Sequence, residues 1–69
     1  MNATDWISAY AAKLGTEPPT ADQFDAVLGL AGVAAHASER VAAPVACWLA
    51  AKAGVTLEEA MALAREVPD

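Results

Sequence analysis

Apolar residues recur along this chain at helical spacing, and polar or helix-breaking residues interrupt them in distinct places. Trp6, Ile7, Tyr10 and Leu14 fall on one face of a first helix, predicted over residues 5–14. Thr4 suits its N-cap, Asp5 its positive dipole end and Gly15 its stop. Pro18 and Pro19 then force a loop. Thr20 and Gln23 have the spacing of a capping box and open a second helix, predicted over 21–40. Phe24, Val27, Leu28, Ala31 and Ala35 line one stripe of it; Leu30, Val33 and Ala37 line another. Gly29 and Gly32 lie inside this helix, each costing about 1 kcal/mol of propensity relative to alanine. Close approach of a neighbouring helix would offset that cost, and a local bend is the rival reading.

Pro44 disfavours helical geometry at Ala43 and suits the first turn of a third helix, predicted over 44–53. Val45, Trp48 and Leu49 share a face of that helix, and Gly54 ends it. Thr56 and Glu59 make a second capping-box pattern, with Val55 placed for a hydrophobic staple. The last helix, predicted over 57–67, presents Leu57, Met61, Leu63 and Ala64 and stops at Pro68. No stretch alternates with period two, so no strands are expected. The pattern predicts an all-α, compact four-helix domain occupying residues 1–69.

Size makes that core demanding. A chain of 69 residues buries only about 60% of the surface its unfolded form exposes. One cysteine allows no internal disulfide, and one histidine beside one cysteine is half a zinc site at best, so no metal or other cofactor is expected. The apolar fraction is 57%, but much of it is alanine. The aromatic residues Trp6, Tyr10, Phe24 and Trp48, with the leucines, valines, Ile7 and Met61, are therefore expected to carry the core. Self-association or a protein partner would supplement it.

Net charge is −5, and the cations Lys13, Arg40, Lys52 and Arg65 are scattered. Phosphate backbones need clustered basic groups, so nucleic-acid binding is not expected. A helix-turn-helix reading of the helix lengths falls on the same ground, and so does attachment to an anionic membrane. No run has the length and apolarity of a transmembrane helix, and Met1–Trp6 has no basic region of a signal peptide. The expected location is cytoplasmic.

Special chemistry concentrates in residues 34–49, which hold the only histidine and the only cysteine. His36 and Arg40, four apart on the predicted second helix, would share a face. They could together grip a phosphate or carboxylate, or simply secure the helix end, Arg40 fastening the following turn or pairing with Glu39. The second reading is favoured, with Pro44 and Trp48 as structural junction residues. Cys47 lies near a helix start, where thiolate is favoured, but no second histidine or asparagine completes a nucleophile system; it reads as a core filler. Ser38 lacks the Asp-Ser-Leu context of a carrier-protein attachment site, and nothing resembles a nucleophile elbow. Glu58, Glu59 and Glu66 read as capping and solvated face. No catalytic residue is assigned, and no enzyme is expected.

The combination of Asp5-Trp6-Ile7, Leu14-Gly15, Ala35-His36, Arg40 and Ala42-Ala43-Pro44-Val45 resembles a family of short actinobacterial helical domains of unknown function. These occur alone or as C-terminal extensions of molybdenum cofactor guanylyltransferase-like proteins. Val41 stands where many such domains carry a proline. The transferase's Gly-rich nucleotide loop is absent, so the resemblance implies a supporting role near molybdenum cofactor biosynthesis and no transferase activity. The leading expectation is a non-enzymatic accessory domain that binds a protein partner or itself. The alternative is a small anion-binding module for a phosphate, pterin or nucleotide, using His36 and Arg40.

Overall fold

A computed structural model describes residues 1–68; Asp69, the last residue of the expected domain, lies outside the described residues. The chain forms α1 (Ala3–Leu14), α2 (Ala21–Ala37), α3 (Ala42–Ala53) and α4 (Leu57–Ala64), with no strand among the described residues. The all-α four-helix architecture is as predicted. The helix ends show where local chemistry competes.

Asn2, not Thr4, caps α1: its side-chain oxygen accepts from the Asp5 amide at 2.8 Å, and its carbonyl accepts from Trp6 at 3.0 Å. Asparagine is the stronger cap, and the earlier start adds helical residues. At the other end Gly15 takes φ 78° and its amide donates to the Ala12 carbonyl, while Thr16 donates to Ala11. Those two bonds satisfy carbonyls that the helix leaves free. The Thr20–Gln23 capping box closes in both directions, at 3.1 and 2.9 Å. In α4 the Thr56 hydroxyl accepts from the Glu59 amide at 3.1 Å.

Two helices end sooner than predicted. Helix α2 stops at Ala37: the Ser38 backbone leaves helical geometry, and its amide and hydroxyl both donate to the Ala34 carbonyl, the hydroxyl at 2.8 Å. A tight turn follows, in which Ala42 donates to the Glu39 carbonyl and Ala43 to the Arg40 carbonyl. Helix α3 then begins at Ala42, so Ala43 is helical after all and Pro44 is its third residue. A first-turn amide has no acceptor within its own helix, so proline sacrifices no hydrogen bond there. Helix α4 gives way after Ala64 to bonds of Glu66 to Leu63 and Val67 to Ala64, tightening the chain before Pro68.

Helix α2 is the spine. It packs extensively against α3 and against α4, and no other pair of helices meets comparably. Among the described residues only Ala11, Leu30 and Ala60 are buried. That corrects the expected core. Phe24, Val27, Val33, Leu57 and Met61 are half-buried, while Trp6, Tyr10, Leu14, Leu28, Val45, Trp48, Leu49 and Leu63 are exposed. The reason is geometric: two helices flank a third without covering each other, so one side of each apolar stripe has no neighbour. Trp6 and Tyr10 stack on one another at 5.2 Å between centroids, and the Lys52 ammonium lies 4.9 Å from the centre of the Trp48 ring. Such an exposed cation–π contact contributes about 0.5–1 kcal/mol. Trp48 itself is 60% exposed, outside the core that its size suggested.

The two helical glycines differ. A Cβ on Gly29 would meet the terminal methyl of Met61 at 3.0 Å, so α4 does approach α2 closely there; at Gly32 nothing lies within 4 Å. Gly32→Ala should therefore stabilise the fold by about 1 kcal/mol and raise the melting temperature by several degrees in thermal circular dichroism. Gly15→Ala should cost about 1 kcal/mol, because its left-handed backbone penalises a Cβ even in open space. Equal effects at the two positions would contradict this account. Leu30, at 2% exposure, is the deepest side chain, and Leu30→Ala should remove about 2–5 kcal/mol. That is comparable with the whole stability of a small domain, so the cooperative thermal transition should be lost or strongly lowered.

Candidate functional site

The open side of the α2 spine forms a groove. Leu30, Val33, Ala34 and Ala37 supply its α2 wall, Ala46, Leu49, Ala50 and Ala53 its α3 wall, and Ala60, Leu63 and Ala64 its α4 wall. Val55, from the turn before α4, and Val67 and Pro68, after it, complete the lining. Alanine explains the space: helices faced with methyl groups leave unfilled volume where larger side chains would interdigitate. The cavity amounts to about 460 Å³, within the range of sites that hold sizeable ligands. Leu30 and Ala60 are its buried floor. Leu49, Leu63 and Val67 stand on its rim at 53%, 54% and 63% exposure.

Among the described residues, no charged side chain lines this groove. Its one side-chain hydroxyl, on Ser38, already donates to the Ala34 carbonyl. The surface can therefore exclude water and bury apolar groups, but it offers no polar group to orient a reacting substrate. Sequence reasoning missed it because the larger lining residues, Leu30, Val33, Leu49 and Leu63, were assigned to a filled core. The available signal was the density of alanine on facing stripes.

The residues singled out for chemistry are dispersed. His36 is exposed in the last turn of α2, while Arg40 lies beyond the helix in the turn before α3. The shared helical face that their spacing suggested ends at Ala37. Instead, His36 borders a second cavity of about 280 Å³ together with Arg65, next to Val33, Ala37, Ala64 and Val67. His36 and Arg65 both sit at helix C-terminal ends, whose negative dipole pole favours a cation and disfavours a bound anion. Arg40 is no better served. Beside it, the first amides of α3 donate to the Glu39 and Arg40 carbonyls, and Pro44 has none to give. Among the described residues, neither the His36 nor the Arg40 side chain makes a hydrogen bond.

Cys47 falls in the second turn of α3 and is half-buried, its thiol donating weakly to the Val27 carbonyl at 3.8 Å across the α2–α3 interface. Ser38, His36 and Cys47 thus face different partners. Among the described residues no group of three or more His, Cys, Asp or Glu side chains is placed to hold a metal ion. No helix among them is long and apolar enough to cross a membrane.

A family model described as a domain of unknown function, DUF6457, matches residues 1–68. The chain belongs to that family. No curated protein and no solved structure matches it significantly. The DUF6457 match spans the groove as well as the His36–Pro44 segment, so the apolar face is part of the family domain and not an appendage to it.

The dispersed geometry makes a direct prediction about anions. Titration with inorganic phosphate, followed by nuclear magnetic resonance, should move the His36 and Arg40 signals no more than those of the isolated cation Lys13. Arg40→Ala should leave the titration unchanged. Saturable shifts confined to His36 and Arg40, abolished by Arg40→Ala, would restore the paired anion site.

Proposed function

We propose that this DUF6457 domain is a non-enzymatic protein-interaction module whose working surface is the apolar groove between α2, α3 and α4. The observation that carries this reading is the uncharged, water-accessible lining, with Leu49, Leu63 and Val67 exposed at its edge. Contiguous exposed apolar surface of this kind costs solubility unless another surface covers it, and it is the usual mark of a docking site. The separation of His36, Ser38 and Cys47 supports a role without catalysis. The net charge of −5 favours a protein partner over a nucleic acid, and a cytoplasmic one accords with the single unpaired cysteine.

A role in molybdenum cofactor biosynthesis rests on the family resemblance alone, whose most specific part is His36, Arg40 and Ala42–Pro44. None of those residues lines the groove. The anion-binding alternative gains no observation in its favour, since His36 and Arg40 do not share a helix.

The test is a photo-reactive benzoyl-phenylalanine placed at position 63, on the groove rim, and separately at position 58, on the exposed acidic side of α4. Irradiation in the producing cell should give a discrete protein adduct from position 63 and none from 58. Equal yields from the two positions, or none from 63, would remove the groove as the working surface.

A further inference from the structure

A folded monomer of 7.1 kDa exposes about 4,100 Å² of surface, by the scaling that holds across globular proteins. This chain exposes 5397 Å², an excess of roughly 1,300 Å². Its radius of gyration is 12.6 Å, against about 11 Å for a compact chain of this length. The surplus is apolar in large part, because eleven large hydrophobic residues are about half exposed or more. A stable interface removes about 800 Å² from each partner, and permanent homodimers remove more. The excess surface of the whole chain, to which Leu49, Leu63 and Val67 at the groove contribute, is therefore large enough for a second copy to cover.

We infer that the groove is the contact face of a symmetric homodimer, in which the α2–α3–α4 faces of two copies meet and the Leu49 and Leu63 rims of one copy enter the groove of the other. The inference rests on the interaction reading above and names its partner. Two features favour a second copy of this chain. The face carries both parts of a self-complementary contact, a cavity and protruding leucines, as a two-fold interface requires. It is also a surface whose described lining brings no like charges together when two chains of charge −5 meet, since no acidic residue among the described residues lines it. Helix α1 presents a separate exposed stripe of Trp6, Tyr10 and Leu14, but that stripe borders neither cavity described above and carries Asp5 and Lys13 on the same helix.

Sedimentation velocity of the purified chain should show a species of twice the 7.1 kDa chain mass, dissociating at concentrations of about 1 µM or below. Leu63→Glu places a charge in the interface on both copies and should weaken association at least about 100-fold with helical content retained, because Leu63 is already half exposed in one copy. Trp6→Ser should leave the dimer intact. If Leu63→Glu fails to fold, the photo-probe at position 63 in the otherwise unaltered chain decides: adducts should join position 63 to α2, α3 or α4 of another copy. A single-chain mass at every concentration overturns the homodimer, as does a dimer dissociated by Trp6→Ser but not by Leu63→Glu. In either case, an adduct in cells between position 63 and a different protein leaves the interaction reading standing. Absence of any adduct removes both.

Discussion

The packing of α2 against two helices at once is the contact on which the rest of this fold depends. Leu30 is buried to 2% exposure at the centre of that helix, and one residue earlier Gly29 admits the end of Met61 from α4. On the α3 side the Cys47 thiol reaches the Val27 carbonyl. Remove α2 and neither α3 nor α4 has another helix to bury itself against, because they scarcely touch each other. A helix with only eight residues, such as α4, has little stability of its own and is held by this contact and its Thr56 cap.

The same arrangement produces the groove. Two helices flanking a third enclose a trough, and whether it fills depends on side-chain size. Here nineteen of 69 residues are alanine, and seven of them line the trough. Alanine favours helix formation but buries little area, so the chain obtains well-formed helices and a thin core from the same residue. The apolar residues large enough to fill the trough, Leu49 and Leu63, stand at its rim. The incomplete core and the exposed apolar groove are thus one feature. Burial of that surface against another protein, as proposed, would add to the stability of the chain.

Much of the backbone was legible in the chain. Gly15 and Gly54 adopt the left-handed geometry that ends helices, and Thr20, Gln23 and Thr56 cap them as their spacing implies. These are local effects acting within a few residues, so local patterns report them. The less legible points were competitions. The Ser38 backbone left helical geometry, its amide and hydroxyl both donating to the Ala34 carbonyl, and α2 ended before Arg40; Pro44 was accommodated in the first turn of α3 with Ala43 helical. A four-residue spacing then no longer placed His36 and Arg40 on one face. Trp48 shows a different limit: its size suggested burial, yet an outward position with Lys52 over its ring is equally compatible with an apolar stripe.

The sequence by itself determined the helices, their caps, the charge that disfavours nucleic acid and the lack of a complete catalytic motif, because each depends on residue type and short separation. The tertiary structure alone decided which apolar faces are covered. Periodicity marks a face as able to be buried but carries no information on whether another element lies opposite it. That requires helix directions and distances, which are set by packing across the whole chain. Only there does the alanine-lined side of α2, with Leu49 and Leu63 at its edge, become an open groove in place of the filled core its pattern suggests.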